Sequence, residues 1–185
     1  MTRYVARTDI QFDQILVKEV STLIDSNSDH VHSGINLIRA DGKPEQFGCG
    51  SLYDYHNKQW IAKESDFNTP VDAIRGLYIE HMINEIRQYA VTQYKTQIGR
   101  VRIMILRPKS CLTWHTDIDP VTRFHIPIVT NEGAMFIHQD PITEERIVST
   151  MPQVCTLYTF NSMVKHTAIN CSRQIRVHIV ASTYY

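Results

Sequence analysis

The chain has 185 residues, 43% of them hydrophobic and 21% charged, enough for one domain with a proper core and too few for two comfortable ones. Nineteen Lys and Arg balance nineteen Asp and Glu, so no global positive field draws the protein to nucleic acid or to an anionic membrane. The first thirty residues carry Arg3, Arg7, Asp9 and Asp13 without a signal-peptide core, and no run of eighteen apolar residues occurs, so the sequence reads as soluble and cytoplasmic. Cys49, Cys111, Cys155 and Cys171 are widely spaced with no Cys-x-x-Cys, which indicates neither a zinc knuckle nor a disulfide framework. They read as reduced core or strand residues.

With no repeat, no low-complexity tract and no Gly/Pro-rich linker, the chain reads as a single domain in two unequal parts. Residues 1–97 form a support region of helices and short strands, and residues 98–185 form the core. In chain order, residues 13–24 place Leu16, Val17, Val20, Leu23 and Ile24 on one helical stripe. His30 and His32 fall in a polar stretch and read as loop. Residues 34–40 and 47–55 read as short strands with Asp41-Gly42 as the turn between them. Thr69-Pro70-Val71-Asp72 combines an N-cap hydroxyl, a proline at the first helical position and an acid three residues on, predicting a long amphipathic helix from Thr69. Its face is Val71, Ile74, Tyr78, Met82, Ile83, Ile86, Tyr89 and Ala90, suited to packing on something flat.

From Arg100 the period changes from about 3.6 to 2, with β-branched and aromatic residues in short runs. Eight runs are expected to be strands: 100–107, 112–116, 123–129, 134–139, 146–150, 154–160, 165–169 and 174–182. Eight short antiparallel strands argue for a double-stranded β-helix, a cupin-like jelly roll, with helices packed on its outer sheet: a mainly β fold with flanking α.

Nine histidines raise the question of whether any could hold a metal. Two His-x-Asp triplets occur, beginning at His115 and His138, and a triplet of this kind is nearly expected by chance. Position decides between them. A facial triad of two histidines and one carboxylate leaves adjacent positions open on a non-haem Fe(II), and its third ligand must come from another strand. In such a jelly roll the pair ends the second strand and the distal histidine lies on the seventh. His115 and Asp117 end the second expected strand and His166 lies in the seventh; His138 and Asp140 end the fourth and are set aside.

Arg176 follows His166 by ten residues on the last strand, where a hairpin folds it back alongside the seventh. By alternation Arg176, His178 and Val180 share one face, opposite Ile175, Val177 and Ile179. Facing inward, Arg176 would be a buried cation in need of an anion, suited to the carboxylate of an organic acid co-substrate. On the third strand Arg123 and His125 likewise share a face, opposite Phe124, Ile126 and Ile128. His178 reads as a packed or hydrogen-bonded core histidine, and Asp119 is a candidate partner for Arg123. Trp114, Tyr184 and Tyr185 read as packing or tail rather than as a substrate cage.

Arg-x-His-Ile-Pro-Ile after His-x-Asp, with His166 and Arg176 ten residues apart, resembles the Fe(II)/2-oxoglutarate oxygenases of the aspartyl/asparaginyl β-hydroxylase-like family, over roughly residues 100–183. The resemblance implies that His115, Asp117 and His166 ligate Fe(II) and that Arg176 holds the distal carboxylate of 2-oxoglutarate. His125 would contact the carboxylate nearer the metal, and Arg123 would face the substrate. It implies hydroxylation of an amino acid or peptidyl residue with O2 as oxidant and release of succinate and CO2. Members acting on protein aspartate or asparagine can lack the metal-binding Asp; Asp117 is present here, which with the small size looks more like the branch acting on free amino acids such as proline. Two other readings stand beside this one. A non-catalytic cupin-like metal or small-molecule binding module has no need for Arg176, and an oxygenase acting on nucleic acid is opposed by the zero net charge.

Overall fold

In the computed structural model, which describes residues 4–27, 34–117 and 122–185, the chain begins with a strand that its sequence pattern did not announce, β1 (Val5–Gln11). Its half-buried residues Ala6, Thr8 and Ile10 alternate with exposed Arg7, Asp9 and Gln11, too weak a polar contrast to show a period of two. Helix α1 (Ile15–Ser26) matches the expectation for 13–24. Asp13 Oδ1 accepts the Ile15 N–H at 2.8 Å, and Leu16, Val20 and Leu23 form the buried stripe. The His30–His32 pair and Asp119 lie outside the described residues.

Strands β2 (Ile35–Asn36) and β3 (Ile38–Ala40) lead into the expected turn, where Gly42 has φ +70° and Lys43 N–H donates to Ala40 O at 3.2 Å. The chain does not return alongside them as expected of 47–55. Instead β4 (Tyr53–Asp54) pairs with β5 (Gln59–Trp60), and β3 pairs with β6 (Phe67–Pro70). This also corrects the helix expected from Thr69. Thr69 and Pro70 are strand residues opposite Arg39 and Ile38, in a two-stranded sheet whose free edge tolerates proline's missing N–H. Gly76, at φ +74°, then adopts a left-handed conformation that no helix interior allows. Helix α2 (Tyr78–Tyr89) starts only after it, with Glu19 of α1 accepting the N–H groups of Tyr78 and Ile79 at 2.9 Å each. A π-helical turn, Ala90–Tyr94, ends it.

The core strands follow: β7 (Gln97–Leu106), β8 (Ser110–Cys111), β9 (Arg123–Val129), β10 (Ala134–Gln139), β11 (Arg146–Ser149), β12 (Thr156–Phe160), β13 (His166–Asn170) and β14 (Arg176–Tyr184). Seven of the eight expected strands have a counterpart. The second does not: residues 112–116 contribute only a single bridge, His115 opposite His166, and the strand that pairs with β13 here is the two-residue β8 just before them. The sixth starts late because Cys155 takes φ +56°. Antiparallel pairing builds a six-stranded sheet, β1-β12-β9-β14-β7-β2, facing a four-stranded sheet, β11-β10-β13-β8. The jelly roll is therefore as expected, but residues 1–97 do more than support it, since β1 and β2 are the edges of its larger sheet.

Alternation divides the larger sheet into two chemistries. Outward-facing Val101 and Ile103 (β7), Phe124 and Ile126 (β9) and Val177, Ile179 and Ala181 (β14) join Leu16 and Val20 of α1 and Met82, Ile83 and Ile86 of α2 in one buried cluster. The inner face carries Arg100, Arg102 and Met104 on β7, Arg123 and His125 on β9, and Arg176, His178 and Val180 on β14. Register puts His125, Val180 and Arg102 in one row across three strands. No helix among the described residues is long and apolar enough to cross a membrane, and all four cysteines are free thiols.

One buried ion pair ties the N-terminal region to this inner face. Glu64 Oε1 accepts from Arg100 Nη2 at 2.6 Å and Nε at 2.9 Å, while Oε2 accepts the Arg100 backbone N–H at 2.9 Å. Neighbouring Gly99 permits the approach, since a Cβ there would stand 2.5 Å from Glu64 O. Glu64→Gln leaves the Arg100 charge buried without its anion and is expected to cost about 3–5 kcal/mol. By thermal denaturation this is a fall in Tm of roughly 6–20 °C for a chain of this size; an unchanged Tm would show that Arg100 finds another anion.

Candidate active site

The single bridge between residues 115 and 166 brings the three expected ligands together. His115 N–H donates to His166 O at 3.0 Å and His166 N–H returns to His115 O at 2.8 Å, so the two side chains leave on one face. Asp117 is held beside them through its N–H to Ser162 O at 3.1 Å. The potential ligand atoms of His115, Asp117 and His166 all lie within 4.8 Å of one another. Each imidazole is oriented the same way: Nδ1 of His115 lies 2.7 Å from Thr113 O, and Nδ1 of His166 lies 2.8 Å from Val164 O. With Nδ1 of each ring turned to a backbone carbonyl, Nε2 is the ring nitrogen left available, the arrangement expected of metal-binding histidines. Asp117 Oδ2 is buried and has no hydrogen-bond partner among the described residues, an orphaned carboxylate oxygen on a ligand candidate of this cluster. The set-aside pair does not converge. Asp140 accepts from Tyr4 OH at 2.5 Å, which together with the Thr143 and Ile142 N–H groups holds its pKa down at about 2. His138, opposite His166 on β10, stacks on Tyr4, and burial holds its pKa at about 4.

Arg176, His178 and His125 all face inward, as alternation predicted. Arg176 is 7% exposed, its guanidinium sits 4.3 Å over the Phe136 ring, and its Nε donates to His178 Nε2 at 3.2 Å. No carboxylate among the described residues pairs with it, and burial alone brings its pKa down to about 9. Burial first, and Arg176 second, hold His125 and His178 well below the ordinary histidine value. Both are therefore neutral at pH 7, and His125 Nε2 is buried without a hydrogen-bond partner among the described residues.

Beside the triad opens a cavity of about 390 Å³, lined by His115, Asp117 and Arg123, by Arg100, Arg102 and Met104 of β7, and by Tyr53 and Trp60 of the β4–β5 hairpin. Arg123 lines it as expected, but with an anion in hand: its Nη2 donates to Asp117 Oδ1 at 2.9 Å. Burial lowers the Arg123 pKa, and Asp117 works against that shift. Arg102, which sequence reasoning passed over, is 4% exposed; its Nη1 donates to Cys49 O at 2.8 Å and its Nε has no partner among the described residues. The alternation used for Arg123 and Arg176 would have found it, since Arg100 and Arg102 share the face opposite Val101 and Ile103. Trp114 stands outside the cavity lining, 38% exposed beneath Arg146.

Comparison with known proteins agrees with this architecture. The family model for aspartyl/asparaginyl beta-hydroxylase matches residues 79–184. No curated protein matches the chain by sequence. Among solved structures, a prolyl-4-hydroxylase from Pseudomonas putida superposes with a TM-score of 0.59 at 10% identity, over 98% of this chain and 92% of its own. A 2OG-Fe(II) oxygenase family oxidoreductase from Burkholderia pseudomallei gives 0.59 at 14% identity, over 97% and 84%. A viral collagen prolyl hydroxylase from Paramecium Bursaria Chlorella virus-1, solved with 2OG, gives 0.53 at 11% identity, over 98% and 96%. At these identities the likeness is one of fold.

The site predicts a selective response to divalent metal. A metal at a hundred times its dissociation constant stabilises the folded chain by about 2.7 kcal/mol, a rise in Tm of roughly 5–10 °C. His166→Ala is expected to abolish the rise, whereas His138→Phe, which keeps the ring stacking, is expected to retain it. Loss of the rise in His138→Phe would place the metal on the other His-x-Asp pair.

Proposed function

The chain belongs to the aspartyl/asparaginyl β-hydroxylase family, and from that premise we propose that it is an Fe(II)/2-oxoglutarate-dependent dioxygenase that hydroxylates an unactivated C–H bond of an amino acid or peptidyl residue. The observation that carries the reading is Arg176, a buried cation with no carboxylate among the described residues, in the same barrel as an orphaned donor set of two imidazoles and one carboxylate. That donor set suits a non-haem Fe(II) with positions left open for other ligands. His115 Nε2, His166 Nε2 and a carboxylate oxygen of Asp117 would hold it. Arg176 would grip the distal carboxylate of 2-oxoglutarate with its two-pronged fork. The unpartnered Nε2 of neutral His125 would contact the carboxylate nearer the metal. Bound iron with 2-oxoglutarate and O2 would supply the oxidation, in which one oxygen atom enters the substrate C–H bond, the other enters succinate, and CO2 is released.

The protein's own residues orient the reactants and exclude water. Phe136 and Phe160, buried between Arg176 and His166, wall the co-substrate space in apolar surface, where the attraction between guanidinium and carboxylate is strengthened. Arg123 would face the substrate while its bond to Asp117 Oδ1 fixes that carboxylate's rotamer, coupling substrate binding to the metal site. A binding module without a reaction would have no use for the unneutralised Arg176. The four free thiols are in keeping with a reducing, cytoplasmic setting.

The direct experiment supplies the Fe(II)-loaded chain with 2-oxoglutarate and O2 and screens free amino acids and short peptides for stimulated succinate release. At least one is expected to stimulate it; absence of 2-oxoglutarate turnover under every condition would contradict the reading. Calorimetric titration of 2-oxoglutarate into Zn(II)-loaded protein should show Arg176→Ala weakened by roughly 30- to 4000-fold, the equivalent of about 2–5 kcal/mol, with metal affinity little changed. An unchanged 2-oxoglutarate affinity removes Arg176 from the site. Arg123→Lys keeps a positive charge beside Asp117 but cannot supply two parallel hydrogen bonds, so metal and 2-oxoglutarate should bind while substrate-stimulated succinate release is lost. Normal hydroxylation by this variant would exclude Arg123 from substrate recognition.

A further inference from the structure

Three consecutive backbone carbonyls are gathered by two guanidiniums on the wall of the cavity beside the triad. Arg100 Nη1 donates to Gly48 O at 2.8 Å and to Gly50 O at 2.7 Å, and Arg102 Nη1 donates to Cys49 O at 2.8 Å. The residue between the two glycines is thereby fixed against β7, and it carries a thiol. Cys49 is half-buried and lines the cavity together with Met104. Gly34 makes room for both sulfurs, since a Cβ there would stand 3.1 Å from Met104 Sδ and 3.4 Å from Cys49 Sγ.

The charges around this thiol limit what it can meet. Arg102 is 4% exposed, has no carboxylate among the described residues, and its Nε is buried without a partner. A guanidinium removed from water in this way calls for an acceptor, and the residue it already holds carries a sulfur that oxidation converts into one. Burial pushes the Cys49 thiol up, while Arg102 and then Arg100 pull against that shift by favouring the thiolate. The same two cations disfavour a soft metal ion between Cys49 and Met104, which would bring a further positive charge to a poorly solvated wall. A small uncharged oxidant meets no such barrier.

We propose that Cys49 is a site of reversible oxidation by hydroperoxides, with Arg102 positioning the peroxide and holding the product. The Cys49 sulfur, its proton lost to solvent, attacks the nearer oxygen of H2O2. The S–O bond forms as the O–O bond breaks, and the departing hydroxide takes up a proton and leaves as water. Sulfur is oxidised to a sulfenic acid and the peroxide is reduced. The orphaned Arg102 Nε–H donates first to the peroxide oxygen and then to the sulfenate oxygen, so the product supplies the acceptor that the reduced chain does not. A small thiol reverses the change in two steps: one molecule displaces water to give a mixed disulfide, and a second releases the Cys49 thiol together with the small-molecule disulfide. The inference concerns the cavity wall and stands whether or not a keto acid binds at the triad.

Exposure alone ranks the thiols differently, since Cys111 and Cys171 are exposed and Cys155 is buried. The test treats Zn(II)-loaded protein, free of iron that would decompose peroxide, with limiting H2O2 and dimedone, and maps the labelled cysteines by peptide mass spectrometry. Cys49 is expected to label ahead of Cys111 and Cys171, with Cys155 unlabelled as the check that the fold is intact. Arg102→Gln and Arg102→Met should each slow Cys49 labelling by roughly 10- to 100-fold, the share of one charge-assisted hydrogen bond in the barrier, and leave Cys111 and Cys171 unchanged. Arg102→Met replaces the buried charge by an apolar chain and should fold at least as stably as the wild type. Without dimedone, a thiol reductant should return oxidised Cys49 to its original mass. No labelling at Cys49, labelling led by Cys111 or Cys171, a Cys49 rate that survives both substitutions, or oxidation that the reductant does not reverse would each overturn the proposal. None of these readouts requires turnover, so failure of the dioxygenase reading shows separately, as 2-oxoglutarate that neither binds nor is consumed.

Discussion

The structure depends on one constraint: β7, β9 and β14 must bury both of their faces, and only one can be apolar. The outer face, from Val101 and Ile103 through Phe124 and Ile126 to Val177 and Ile179, is sealed by α1 and α2 into a dry layer where a charge would be ruinous. Every cation on these strands is thereby confined to the interior of the roll. Since the side-chain period is two, slipping one strand by one residue would drive Arg102, Arg123 or Arg176 into the helix layer, and this holds the register firmly. The same constraint that secures the fold thus concentrates positive charge where ligands enter.

Given that confinement, the question for each buried cation is what balances it. Arg100 is balanced within the fold by Glu64, which also fastens the N-terminal region to the sheet. Arg123 is balanced by a carboxylate that has a second oxygen free for metal. Arg176 and Arg102 are balanced by nothing among the described residues, and both have their pKa pulled down to about 9 by burial. The fold tolerates this cost at two places four residues apart in the register of β7 and β14. At Arg176 the distal carboxylate of the proposed co-substrate would complete the charge balance. The triad is preorganised by comparable means, with two backbone carbonyls fixing the imidazoles and Arg123 fixing the carboxylate.

Much of this was legible in the sequence, because the strands of a jelly roll are written in a period of two that turn residues punctuate. Strand order then distinguished His115 and Asp117 from His138 and Asp140, and alternation put Arg176 and His125 inside. What escaped was long-range or locally ambiguous. β1 is an edge strand whose faces differ too little in polarity to betray it. Thr69-Pro70 carries a helix-start signature that an edge strand satisfies equally well, and only the pairing with Ile38 and Arg39 decides between them. The Arg123–Asp117 bond joins residues six apart in sequence, and no pattern of spacing announces it. Arg102 was readable by alternation, but its lack of an anion became visible only once Glu64 had been placed against Arg100.

The central claim is that this inner face holds a metal chelated by a keto acid. Anaerobic addition of Fe(II) and then 2-oxoglutarate, followed by visible absorption, tests it most directly, since chelation of the keto acid to iron produces a charge-transfer band. The account predicts a band that saturates at one equivalent of 2-oxoglutarate and is absent in His166→Ala. A wild-type protein that binds Fe(II) and develops no band with 2-oxoglutarate would contradict it.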